Sequence, residues 1–358
     1  MPPDAVTARP LSRRALLANT LRLGAGAVLL SACGTGAGTG AGGSGGAAAT
    51  VDYQLSWVKD YEFAGSYLAD DRGYWAARGV AVNLQSGGPN SSAVQAVAAG
   101  NSLVGSASLD EAAQLVADGG AELAIIGALF QKNGLNILSR ADRPISTPQD
   151  LPGKRIGVFA SNDPQWSLFL ELNGIDRSTI TEVPVQFDVT PLVTGDVDGF
   201  QGYAGGELTT LRAAGVDPVV LLFADHGYNP VSAGYVVRRE SLQDADQRTA
   251  LVGFLHGEIL GWQDVVYGGA VAEGARLTVE KYGADLGLDP QTQTDSLQAL
   301  LGYIATPFTQ ENGLLRISPD SLDSSQTVLD GSGIDVRISD LVVTDLLDEV
   351  YGGTNRLT

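Results

Sequence analysis

Residues 51–84 read VDYQLSWVKDYEFAGSYLADDRGYWAARGVAVNL, and this stretch decides the fold class. Val51, Tyr53, Leu55 and Trp57 alternate with Asp52, Gln54 and Ser56, the two-residue period of a half-buried strand. Phe63, Tyr67, Leu68 and Trp75 follow as a helical stretch that stops at Gly79, and Val80, Val82 and Leu84 return to the strand period. Strand, helix, strand is then repeated. A helix opens at Ser91-Ser92 and closes at Gly100, strands read over 103–108, 121–130 and 135–139, and a helix covers 110–117. Alternation of this kind argues for a three-layer α/β domain with a largely parallel sheet.

A break at Ala141-Asp142-Arg143-Pro144 precedes a second α/β series. Strands are expected at 155–159, 182–187, 197–203, 219–223 and 235–237, with helices at 164–172 and 208–214; beyond Leu242 the chain reads as mostly helical. The late stretch 340–351 has ordinary amphipathic spacing, that of a packing helix. Extended joints near 140–144 and 232–237 predict two α/β lobes on a hinge, the first built from residues 51–141 plus 236–358 and the second from 142–235. A ligand would occupy the cleft, where strand C-termini and helix N-termini converge.

The N-terminus reads as an address. Residues 1–32 carry the twin-arginine segment Ser12-Arg13-Arg14-Ala15-Leu16-Leu17, a short apolar run, and Leu30-Ser31-Ala32-Cys33, which looks like a bacterial lipoprotein signal. Cys33 is the expected lipidation site and residues 33–50 a glycine-rich tether, so the expectation is an exported protein anchored to the outer face of the cell membrane. Within the tether, Gly38-Thr39-Gly40-Ala41-Gly42-Gly43 mimics a dinucleotide fingerprint but lacks the preceding strand and following helix that a phosphate turn requires.

Composition narrows the function classes. The 358 residues are 44% hydrophobic, enough for a substantial core, and carry a net charge of −19 that would repel nucleic-acid phosphates. Removing residues 1–32 takes away four Arg and one acid, so the acidic excess belongs to the exported part. With one Cys and two His (His226 and His256), no metal site and no cofactor are expected. The G-x-S-x-G match at residues 42–46 lies in the tether, away from any nucleophile elbow, so a binding role is expected rather than catalysis.

Aromatic and polar residues at strand ends nominate the site. Trp57, Tyr61 and Phe63 follow the first strand, where ring faces can sandwich a planar solute; each also fits an apolar core. Gly87, Gly88 and Pro89 precede a helix start, either as backbone donors to a ligand oxygen or as a tight turn. Asp110 opens a helix as a ligand group or as a cap. Asn162 and Trp166 lie in the loop entering the 164–172 helix, with core packing as the other reading for Trp166. Tyr203, Glu207 and Tyr228 sit at later turns, and a carboxylate at 207 could accept hydrogen bonds from a ring edge or simply complement a helix N-terminus.

Five segments in order carry a family resemblance: 57–65 (WVKDYEFAG), 87–89 (GGP), 127–131 (GALFQ), 150–158 (DLPGKRIGV) and 196–203 (DVDGFQGY). Over about residues 52–260 the chain resembles the extracytoplasmic solute-binding proteins related to thiamine pyrimidine synthase, which serve ABC importers. The resemblance implies a two-lobed, type II periplasmic binding protein-like fold and a membrane permease as partner. It implies a thiamine pyrimidine precursor as ligand or, in some members, riboflavin, and it makes the acid at Glu207 ligand-facing. The cysteine-rich motif thought to be needed by the synthesising relatives is absent. A small-anion ligand such as a sulfonate or nitrate remains the alternative, although such a site would be expected to hold a basic residue. The protein is expected to act as a monomer.

Overall fold

The computed structural model describes residues 48–88, 91–186 and 188–358. The signal segment 1–32, Cys33, nearly all of the tether and Pro89 lie outside the described residues.

Two mixed sheets organise the chain. The first combines β1 (Ala49–Gln54), β2 (Val80–Gln85), β3 (Val104–Ala107), β4 (Leu123–Phe130) and, far along the sequence, β10 (Ser232–Arg238) in the order β2-β1-β3-β10-β4. The second combines β5 (Leu135–Arg140), β6 (Arg155–Val158), β7 (Thr181–Pro184), β8 (Gly199–Tyr203) and β9 (Pro218–Leu222) in the order β7-β6-β8-β5-β9. In the first, β1 runs parallel to β2 and β3, and β10 runs antiparallel to β3 and β4. The second repeats this plan, with β5 as the reversed strand between β8 and β9. Each lobe's reversed strand therefore arrives directly from the other lobe.

This topology corrects the expected lobe boundaries. Residues 135–140 pair with β8 and β9, so they belong to the second lobe and not to the first. The chain crosses at 131–134 and returns at 223–231. The segment at 140–144 is a turn within the second lobe, where Ala141 N–H donates to the Asp217 carbonyl, and 232–237 lies inside β10. Sequence could not place these boundaries, because β4 (LAIIGALF) and β5 (LNILSR) are short runs with nearly every residue buried. Such a run says that a strand is covered on two faces, not which sheet it joins.

The helices cover both sheets. In the first lobe α1 (Ala64–Asp71), α2 (Ala93–Ala98) and α3 (Leu109–Ala117) occupy the crossovers. In the second, α4 (Asp163–Leu172), α5 (Thr190–Thr194) and α6 (Gly206–Ala213) do so. The expected helix ending at Gly79 is interrupted, since Gly73 takes φ 69° and a short 3-10 turn precedes Gly79. The C-terminal part supplies α7 (Ala245–Val266), α8 (Val271–Leu277), α9 (Pro290–Ile304), α10 (Pro307–Asn312), α11 (Pro319–Gly331), α12 (Ile338–Leu341) and α13 (Asp345–Tyr351). The single helix expected over 340–351 is two helices, because Val343 N–H donates to the Ile125 carbonyl and the chain runs briefly along β4. That pairing covers an otherwise open sheet edge.

The first lobe's core forms where α7 lies against α1 and β1. Gly253, Gly257 and Gly261 recur every four residues and form one ridge of α7. A Cβ at Gly253 would come within 2.7 Å of Val80, one at Gly257 would strike the Trp75 ring, and one at Gly261 would strike the Gly65 carbonyl. The ridge admits a neighbouring ring and backbone where any side chain would clash. Gly261→Ala should therefore lower stability by about 1–3 kcal/mol through overpacking, read from the urea midpoint; an unchanged midpoint would contradict this packing.

Candidate ligand-binding site

The sheet plan brings strand ends to a common rim. Parallel strands β1, β3, β4, β6 and β8 deliver their C-termini, while the reversed strands β5 and β10 deliver their N-termini. Between them lies a cavity of about 390 Å³, toward the small end of ligand pockets.

After β1, the Asp60 carboxylate accepts the Glu62 N–H at 3.0 Å and starts a 3-10 turn over Tyr61–Phe63. The Tyr61 N–H donates to Gln293 Oε1 of α9 at 2.9 Å, which fixes the turn from behind. Across the cleft, Ala204 follows β8 at φ 44°, a left-handed conformation costly for alanine, and Gly205 lets α9 approach, since a Cβ there would meet Ala299 at 2.8 Å. Glu207 then turns back so that Oε2 accepts the Tyr203 N–H at 3.0 Å. The Tyr203 hydroxyl lies 3.3 Å from Ser232 Oγ, and its ring faces Phe130 at 6.3 Å.

Among the sequence candidates, Trp57, Tyr61, Phe63, Asp110, Asn162, Tyr203, Glu207 and Tyr228 all border the cavity. Gly87 and Gly88 do not. Gly87 folds onto the Leu55–Trp57 backbone, donating to the Trp57 carbonyl at 2.8 Å, and a Cβ there would strike that backbone; the glycine serves the turn. Trp166 is also elsewhere. It is 1% exposed in the second lobe's core, stacked near Phe169 and Phe223, with its Nε1–H on Glu182 at 2.8 Å. Its loop lies near the cleft, but helical periodicity turns residue 166 inward while Asn162 and Gln165 border the cavity.

Sequence reasoning missed Asp60, Glu62, Phe130, Phe159, Tyr235 and Glu258 at the cavity. Asp60 and Glu62 flank Tyr61 and needed only attention to the same turn. Glu258 carried a signal of its own, an acid set among Leu255, Ile259 and Trp262 on a buried helix.

Acids dominate the electrostatics. Burial pushes the Asp60 carboxyl up to about 7, opposed by the Glu62 N–H and reinforced by the charge of Glu207. Burial, then the charges of Asp60 and Glu207, holds Glu62 well above the carboxylate range. Burial raises Glu207 against the pull of the Tyr203 N–H, and raises Glu258 to about 7 against three hydrogen bonds. Among the described residues no Lys, Arg or His borders the cavity. The arrangement is therefore poor in positive charge and rich in carboxyl groups and rings; a planar group that carries N–H donors would favour the ionised, accepting form of these acids.

The fold is that of the periplasmic binding proteins. The structure matches the periplasmic sulfonate-binding protein SsuA of Methylobacillus flagellatus with TM-score 0.59 at 13% identity, covering 86% of this chain and 94% of that one. The desulfurization enzyme DSZB matches with TM-score 0.56 at 15% identity over 85% and 99% of the two chains, so the same fold also carries catalysis. Residues 60–266, more than half of the chain, match the NMT1/THI5-like family model, and the chain belongs to that family. It is similar to the riboflavin-binding protein RibY of Chloroflexus aurantiacus, 28% identical over 180 residues. That similarity spans 49% of this chain and about half the length of the relative, 51%. Among the described residues no helix is long and apolar enough to cross a membrane.

Two outcomes are expected. Trp166→Ala should cost about 3–5 kcal/mol of stability in chemical unfolding and leave the solute affinity of the folded fraction unchanged; a selective affinity loss would return Trp166 to the site. The second concerns pH. Asp60 titrates near 7 in the folded protein and near 3.8 when unfolded. Its favourable contribution is thus complete below the lower value and lost as pH rises through the upper one. The unfolding midpoint of the ligand-free protein should fall from pH 5.5 to pH 8, and Asp60→Asn should flatten that slope; a midpoint that rises over this window would contradict the burial of these acids.

Proposed function

We propose that this chain is the solute-binding component of an ABC importer, and that it captures a planar, nitrogen-rich heteroaromatic solute of the thiamine-pyrimidine class without transforming it. The observation that carries the reading is the cavity's composition: Trp57, Tyr61, Phe63 and Tyr203 offer ring faces, Asp60, Glu62 and Glu207 offer carboxyl groups, and among the described residues no cation borders it. An aminopyrimidine presents an exocyclic amine beside a ring nitrogen, and a carboxylate can accept from both at once when the ring is protonated. A sulfonate or nitrate would enter with its charge opposed by acids alone, which weighs against the anion alternative despite the SsuA-like fold.

Riboflavin is the second reading, favoured by the similarity to RibY. Its imide N–H would meet the same acceptors, but its carbonyls would find fewer donors. Capture proceeds by closure of the two lobes on the ring, and the closed form is what a membrane permease reads. A side-chain contact already crosses the cleft, with Gln165 Nε2 3.5 Å from Asp110 Oδ2. A lipid on Cys33 would hold the monomeric domain on the outer membrane face beside that permease, with export by the twin-arginine route. The only cysteine is this one, and among the described residues neither His nor Lys borders the cavity, which favours binding over chemistry.

Calorimetry and thermal shift against a thiamine pyrimidine, riboflavin, an alkanesulfonate and nitrate test this directly. The pyrimidine at about 100 times its dissociation constant should add about 2.7 kcal/mol of stability. Trp57→Ala and Glu207→Ala should each weaken it by about tenfold or more while the protein stays folded. Tightest binding to a sulfonate, or unchanged affinity in both variants, would overturn the reading.

A further inference from the structure

Glu258 stands in the middle of α7 and is fully buried, at 0% exposure. Its Oε1 is held by three donors from three elements: Ser66 Oγ of α1 at 2.7 Å, the Tyr235 hydroxyl of β10 at 2.9 Å and Trp262 Nε1 of α7 at 3.1 Å. Its Oε2 is buried and, among the described residues, has no hydrogen-bond partner, although the residue borders the cavity. A buried carboxylate oxygen without a partner is costly, and such groups find an explanation in a ligand or in function. The three donors pin the carboxyl in one orientation, so the unpaired oxygen is a fixed feature and not a rotamer accident.

We propose that Glu258 is a recognition residue of the solute site, whose Oε2 accepts a hydrogen bond from an N–H of the bound heterocycle. The inference rests on the ligand class proposed above and assigns it a second polar contact, contributed by the long C-terminal helix of the first lobe and separate from the Asp60–Glu62–Glu207 group. Ser66, Tyr235 and Trp262 act as positioning residues, because each spends its donor on the other oxygen. Selectivity follows from this geometry. A solute edge that carries a donor satisfies Oε2, and an edge that carries only acceptors leaves it unpaired and faces a lone pair.

The test compares two probes, 4-amino-2-methylpyrimidine and its 4-methoxy counterpart, by calorimetry on wild type, Glu258→Gln and Glu258→Met. Wild type should prefer the amino probe by about tenfold or more. In Glu258→Gln the amide oxygen stays with the three donors and the NH₂ takes the place of Oε2, so the preference should vanish or reverse. Glu258→Met, which has neither acceptor nor donor there, should also lose it. A ratio between probes that is the same in wild type and in whichever variant folds would overturn the assignment. Failure of the ligand class reads differently: wild type then binds neither pyrimidine, and the role of Glu258 falls with it.

Discussion

Each sheet of this protein is completed by a strand that comes straight from the opposite lobe. β5 enters the second sheet as the chain leaves β4, and β10 enters the first as the chain leaves β9. Because both are antiparallel to their neighbours, their beginnings lie beside the ends of the parallel strands. The rim where these termini meet is the rim where side chains are free of sheet packing, and the cavity forms there. The two crossings also place the lobes' only backbone connections within described segments 131–134 and 223–231, next to the cavity.

The C-terminal helices tie this architecture together and reach the site from behind. α7 contributes its glycine ridge to the first lobe's core and Glu258 to the cavity, so one helix face serves packing while the next borders the cleft. α9 holds the Tyr61 turn through Gln293 and abuts Gly205 at the start of α6, touching the walls on both sides of the cleft. Ala204 and Ala233 take positive φ values of 44° and 51° on that same rim. Strained backbone beside a cleft is a common companion of ligand sites, held in place by the surrounding packing.

Much of the fold was legible because its signals are local. The alternation of Val51, Tyr53, Leu55 and Trp57 overlaps β1, which begins two residues earlier than expected at Ala49 and ends at Gln54, leaving Leu55 and Trp57 beyond the strand. The joints were misplaced because strand partnership is non-local, and β4 and β5 look alike from within. The site was legible where residues follow strand ends, as for Trp57, Tyr203 and Glu207. Trp166 misled because proximity to a loop does not fix the direction of a helical side chain, and its ring packs on Phe169 and Phe223. Glu258 escaped because a mid-helix acid far along the chain offers no clue to which cavity it meets until α7 is placed on α1.

The cavity is lined by acids and rings and, among the described residues, by no cation, and on this chemistry rests the proposal that it selects a planar donor-bearing heterocycle. Mass spectrometry of the small molecule released from the purified protein examines it most directly. The expected product is a nitrogen heteroaromatic without a sulfonate or phosphate group. An inorganic anion or an alkanesulfonate as the stoichiometric occupant would contradict it.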